Sequence, residues 1–248
     1  MNSFLAALRF LTVIPVKSSW TKDPNGSRTL IYFPVVGWLL GLALAVLITR
    51  LSRFSGQGVA PAMVVVVALV VLTGGLHLDG LADTFDALLS WKSKDEMLSI
   101  LRDPHVGVMG ILGLLCVLLL KIAFLSWVSV PHQTAALVLM CVLGRWGLVW
   151  SLFLFPYARP EGKAKAFAEG INRKIFFGAT LVALSLILFF WQWRGLIAGF
   201  AAALSSFLVG HAAKKKLGGI TGDTLGAGCE LTETTVLLSV CLLERIPL

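Results

Sequence analysis

Apolar runs of about twenty residues, long enough to cross a bilayer core, recur along this chain between short polar stretches. They predict spans over 30–49, 60–76, 106–125, 133–154, 175–191, 195–212 and 226–243. The last run carries Glu230 and Glu233, and reads either as a full span or as a half-span beginning near Thr234. Residues 2–16 are apolar but too short to cross; they hold Arg9 and close at Pro15, which predicts an interfacial or re-entrant helix. No small-residue cleavage site follows this stretch, so it is expected to stay in the mature protein. The expected fold is all-α: one polytopic membrane domain over 1–248, with about seven transmembrane helices and the N-terminal helix.

Composition supports this. Of 248 residues, 57% are hydrophobic and 14% charged, where a soluble domain carries about 25% charge. The net charge of +8 does not call for nucleic acid, because basic residues in a membrane chain set orientation and meet anionic lipid. With the N-terminus cytoplasmic, the inner loops hold Arg9, Lys17, Lys22, Arg28, Lys92, Lys94, Arg102, Arg159, Lys163, Lys165, Arg173, Lys174 and Lys214 to Lys216. The outer segments hold only Arg50, Arg53, Arg194 and Arg245. That bias predicts cytoplasmic inner loops. Cys116, Cys141 and Cys241 lie in apolar runs and Cys229 in a loop, which supports neither a disulfide framework nor a zinc site.

The candidate chemistry lies in two polar segments that this topology brings to the cytoplasmic face. In Gly74-Gly75-Leu76-His77-Leu78-Asp79-Gly80-Leu81-Ala82-Asp83-Thr84-Phe85-Asp86, the three aspartates stand at i, i+4 and i+7. A helix would project them within roughly 60° of one another, where like charges repel unless a cation lies between them. Mg²⁺ suits such oxygens, taking one or two carboxylates together with substrate phosphates and water. His77 reads as an interfacial histidine or a catalytic base on the opposite helix face. Residues 81–101 are expected to continue as an amphipathic surface helix. Asp103 precedes Gly107-x-x-Gly110-x-x-Gly113, a small-residue series that admits another helix or a ligand, and Asp103 itself is a candidate metal or substrate contact.

The second segment runs from Gly218 to Glu233 and holds five glycines in eleven residues, which frees backbone amides to approach an anion. Asp223 and Glu230 are two helical turns apart, with Glu233 a turn further; Thr221 is a candidate substrate contact in the turn. Arg145, in the middle of a span, is expected either to pair with a carboxylate or to bind phosphate. Arg159 opens a basic loop that suits lipid or phosphate, and Lys121 can snorkel. Two carboxylate clusters on one face fit divalent metals holding a pyrophosphate during in-line attack. The residues by themselves reach a Mg²⁺-dependent membrane transferase.

Asp79 to Asp83 has the Asp-x-x-x-Asp spacing of the polyprenyl transferases, while the Ala-Arg pair of the CDP-alcohol phosphotransferases is absent. The chain resembles the cobalamin synthase family, the adenosylcobinamide-GDP ribazoletransferases, through residues 74–86, Phe10-Leu11-Thr12 with Pro15, Asp103 with Gly107 and Gly110, and Gly-Gly-Ile-Thr-Gly-Asp-Thr-Leu-Gly-Ala at 218–227. Ala87 and His105 depart from residues common in that family. The resemblance implies that adenosylcobinamide-GDP and α-ribazole, or its 5′-phosphate, give adenosylcobalamin, or its 5′-phosphate, and GMP. It implies catalytic and Mg²⁺-binding roles for Asp79, Asp83, Asp86 and Asp223. His77, Asp103, Arg145, Arg159, Thr221, Glu230 and Glu233 are then expected on the substrate, with Glu230 or Glu233 able to complete a second metal position. A prokaryotic inner membrane, lipid contact, and a homo-oligomer or a complex with other cobalamin-assembly enzymes go with that reading. An ion-coupled transporter is the reading from another class; it predicts acids near mid-span on several helices and an internal repeat.

Overall fold

The computed structural model describes residues 2–16, 26–162 and 164–246; Lys17, Lys22 and Lys163 of the charge count lie outside them. Among the described residues the fold is helical, and the only pairing of extended backbone is an isolated parallel bridge between Tyr157 and Ile220. In order come α1 (Asn2–Leu11), a 3-10 turn (Gly26–Tyr32), α2 (Phe33–Ser55), α3 (Val59–Thr73), α4 (Leu76–Leu88) and α5 (Lys94–Ile100). They are followed by α6 (Val108–Trp127), α7 (Val130–Leu154), α8 (Lys165–Gly170), α9 (Arg173–Leu217) and α10 (Gly222–Leu243). Pro34 and Pro131 sit in the first turns of α2 and α7, where a missing N–H costs nothing because that group has no helical partner.

Five helices are long and apolar enough to cross a membrane, or six if the bent pair α3–α4 is one broken span. The all-α polytopic membrane architecture is therefore present, but the expected seven spans are not reproduced as seven separate helices. Predicted span 60–76 stops at Thr73, because Gly74 and Gly75 both adopt left-handed backbone with φ of +62° and +67°. That turn re-aims the chain by 93°. Predicted spans 175–191 and 195–212 become one folded element, since α9 breaks at Trp191 and Gln192. A Cβ on Gly195 would lie 2.6 Å from the carbonyl oxygen of Ile187, whereas eight residues of straight helix would separate them by about 12 Å. The chain therefore folds sharply between the two arms, 173–190 and 193–217. The last segment is helical from Gly222 to Leu243, so it does not start at Thr234.

Helix α7 is the buried centre of the bundle, while α6 and α9 turn most of their surface outward. Exposed Val108, Leu112, Leu115 and Leu119 on α6 are what a lipid-facing helix presents. Gly37 and Gly41 let α2 approach the backbone of α7; a Cβ on Gly41 would stand 2.6 Å from Cα of Val138. Just past α1, Val13 N–H bonds to Leu72 O at 2.9 Å and ties the segment to the C-terminal end of α3.

The expected surface helix over 81–101 is divided. Helix α4 ends near Leu88, and α5 starts anew with a capping box of Ser93 and Glu96. Helix α4 runs antiparallel beside α6: Leu78 and Leu81 pack with Val117, Phe85 meets Gly113, and Asp86 reaches Gly107 and Gly110. The glycine series is thus the groove into which α4 fits.

Candidate active site

Helices α4 and α10 cross almost backbone to backbone. A Cβ on Gly80 would lie 2.7 Å from the carbonyl oxygen of Asp223, and one on Gly226 would lie 3.0 Å from the carbonyl oxygen of His77. Only glycine permits this approach, and it brings the two polar segments together. Asp79 is exposed, Asp83 and Asp223 half-buried. Asp83 stands in the field of Asp79, Asp223 and Asp86, with Arg159 the opposing cation.

Asp223 occupies the first turn of α10, behind a Thr221–Thr224 capping box. The Thr221 hydroxyl accepts from Thr224 N–H at 3.2 Å and donates to Asp223 Oδ2 at 3.3 Å. Thr221 is fully buried and engaged in capping, which places the predicted substrate contact beneath the site instead of within it. Arg159 pairs with Asp223 Oδ2 at 3.0 Å and also donates to Leu101 O at 3.2 Å. The loop carrying Arg159 is held on Ile220 by two bonds of 2.8 Å, from Ala158 N–H to Ile220 O and from Ile220 N–H to Pro156 O. Tyr157 accepts from the amides of Gly222 and Ala164, while burial pushes its phenol above the ordinary value. It therefore stays protonated.

Asp86 has other work. Its carboxylate accepts from Gly107 N–H at 2.7 Å and from Gly110 N–H at 2.8 Å, capping α6 from a neighbouring helix. Asp103 is exposed and holds His105, whose backbone N–H donates at 2.9 Å and whose Nδ1 lies 2.7 Å away. Those two bonds hold the Asp103 carboxyl below the usual range.

Glu230 and Glu233 lie deeper on α10, in a buried ionic cluster. Lys121 donates to Glu230 at 2.6 Å and also to Glu233, and Arg145 pairs with Glu233. Two cations meet two carboxylates, as a low-dielectric interior requires. Arg145 is thus an ion-pair residue here, and Lys121 is buried within its helix bundle instead of snorkelling outward.

A cavity of about 300 Å³ opens at the carboxylates. Its polar mouth is formed by Asp79, Asp223, Arg159 and Tyr157, and its apolar end by Phe10, Phe33, Phe167, Leu148 and Leu152. The three phenylalanines interlock. Phe10 stacks on Phe33 with centroids 5.8 Å apart, and Phe167 meets them edge-on at 5.0 and 5.7 Å. His77, 3% exposed, also lines the cavity, so it shares a chamber with Asp79 although it points off the aspartate face. Sequence reasoning did not assign the aromatic wall or Tyr157. Phe10 stood in a quoted motif, but nothing local links it to Phe33 or Phe167.

Among the described residues, no three His, Cys, Asp or Glu side chains converge closely enough to hold a metal alone. Mg²⁺ asks for less, since phosphate oxygens and water supply most of its octahedron. Asp79 and Asp223 at the mouth, with Asp83 beside them, are a like-charged donor set that fits it when a diphosphate is present.

A family model described as cobalamin-5-phosphate synthase matches residues 3–241. An adenosylcobinamide-GDP ribazoletransferase from Roseiflexus sp. (strain RS-1) is 41% identical over 240 residues, covering 95% of this chain and 88% of that protein. Proteins of the same name from Alkaliphilus metalliredigens (strain QYMF) and Escherichia coli (strain K12 / DH10B) are each 36% identical over 243 residues. These cover 98% and 96% of this chain, and 96% and 98% of the relatives. No solved structure matches the chain significantly.

Proposed function

The chain belongs to the cobalamin-5-phosphate synthase family, and we propose that it transfers the cobinamide phosphate of adenosylcobinamide-GDP to α-ribazole or α-ribazole 5′-phosphate. The observation that carries this reading is the α4–α10 crossing, which gathers Asp79, Asp223 and Arg159 at one cavity mouth, with Asp83 in their field. A ribose hydroxyl of the acceptor attacks the phosphorus attached to cobinamide, the bond to the bridging oxygen breaks, and GMP leaves. Asp79 and Asp83 are the residues that would hold Mg²⁺, with Asp223 close by. Bound there, Mg²⁺ would neutralise diphosphate charge and favour the leaving phosphate.

The protein's own groups do the rest. Asp223 has Oδ2 engaged by Arg159 and Thr221, and we assign Oδ1 to take the hydroxyl proton. Arg159 is placed to meet phosphate charge as it develops. Asp86 acts through α6, as a positioning residue. Glu230, Glu233 and Arg145 hold α10 against α6 and α7 beneath the site. The basic inner loops support a cytoplasmic orientation for this mouth.

Membranes carrying the protein, given both substrates, should form a new cobalamin with GMP in equal amounts. Protein shown to be inserted and folded that forms neither would end this reading.

A further inference from the structure

The mouth of the cavity is explained by phosphate chemistry, but its apolar end is not. Three phenylalanines from α1, α2 and α8 form a wall there, and Leu148 and Leu152 of α7 close it. Two side chains lining this cavity carry a buried polar atom without a hydrogen-bond partner: Arg159 at Nε, by the mouth, and His77 at Nδ1. A buried imidazole nitrogen left unmatched has a reason when a ligand completes it.

Volume narrows the occupant. About 300 Å³ lies at the lower end of small-molecule pockets: room for one nucleoside, far too little for a corrinoid. Chemistry narrows it again. Guanine carries several donors and acceptors around its edge, and this wall would leave most of them unpaired. A benzimidazole base presents flat apolar faces and a single free ring nitrogen. The faces suit stacking on phenylalanine, and the nitrogen suits one N–H from His77.

We propose that the Phe10–Phe33–Phe167 end of the cavity is the acceptor subsite, holding the planar base of the benzimidazole nucleoside with His77 bonded to its free ring nitrogen. This rests on the transfer reading above and extends it to substrate choice. With the base at the apolar end, the ribose extends toward the mouth, where Asp223 and Asp79 stand. His77 and the phenylalanines then set which base is accepted, and the carboxylates set what is done to it.

The test is equilibrium binding to the full-length protein in lipid nanodiscs, with radiolabelled α-ribazole and labelled GDP as separate probes. Phe167→Leu and His77→Gln should each weaken α-ribazole binding by about tenfold and leave GDP binding within about twofold, GDP also serving as the folding control. In turnover, the same variants should raise KM for α-ribazole without raising KM for adenosylcobinamide-GDP. Unchanged α-ribazole binding in folded variants, or loss of GDP binding instead, overturns the subsite while leaving the transfer reading in place. A wild-type protein that binds α-ribazole weakly or not at all and makes no cobalamin overturns both.

Discussion

Gly80 lies against the backbone of Asp223: a Cβ there would stand 2.7 Å from the Asp223 carbonyl oxygen and 2.9 Å from its Cα. The contact is backbone on backbone, so no side chain can swing aside to make room. Gly80→Ala should push α4 and α10 apart, lower stability by about 1–3 kcal/mol and reduce transfer at least about 100-fold. Gly226→Ala, where the nearest atom is 3.0 Å away, should be milder, and Gly222→Ala, with nothing within 4 Å, should cost no stability. Thermal unfolding and initial rates of the three variants check the order; equal effects would contradict the crossing.

Asp79 and Asp86 stand in one motif but differ in role. Asp86→Ala strips the cap from Gly107 and Gly110, so α6 should lose about 0.5–2 kcal/mol. Amide exchange should rise in its first turn. Asp79→Asn and Asp83→Asn should leave unfolding temperature and exchange nearly unchanged yet abolish turnover. Retained activity in both would remove them from the chemistry.

The buried cluster predicts a pattern of damage and rescue. Lys121→Met leaves Glu233 with Arg145 alone and Glu230 with no ion-pair partner, and removing one partner of a buried pair costs about 3–5 kcal/mol. The double variant Lys121→Met/Glu230→Gln restores neutrality and should recover most of that loss. Unfolding in detergent micelles measures both. A double variant that loses the sum of the single effects would contradict the cluster.

Arg159 connects the loop after α7 to Asp223 and Leu101. Arg159→Lys keeps the charge but loses the planar fork. It should lower kcat about tenfold or more while leaving membrane insertion intact, and rate measurements at saturating substrate read this directly.

Much of the site was legible because it is local. The Asp79 and Asp83 spacing depends on helical periodicity alone, and Thr221 to Asp223 sits at a helix start that its own capping residues mark. The expected span 60–76 ran through Gly74 and Gly75, and only the structure shows that both turn left-handed and end α3 early. The partners of Glu230 and Glu233 were not legible, because Lys121 lies 109 residues from Glu230 and ion pairing across that gap is a tertiary event. The same holds for the aromatic wall: Phe10, Phe33 and Phe167 come from three segments whose apolar patterns serve equally well for lipid contact. Asp86 misleads for a different reason. Periodicity aligns it with Asp79 and Asp83, while a neighbouring helix start takes its carboxylate.

The most direct test of the transfer chemistry is GMP release by nanodisc-embedded protein given adenosylcobinamide-GDP and α-ribazole, with Mg²⁺ and with chelator. The account predicts release only with Mg²⁺ and only with the acceptor present, matched mole for mole by new cobalamin. GMP release that ignores the chelator, or none at all from folded protein, would contradict it.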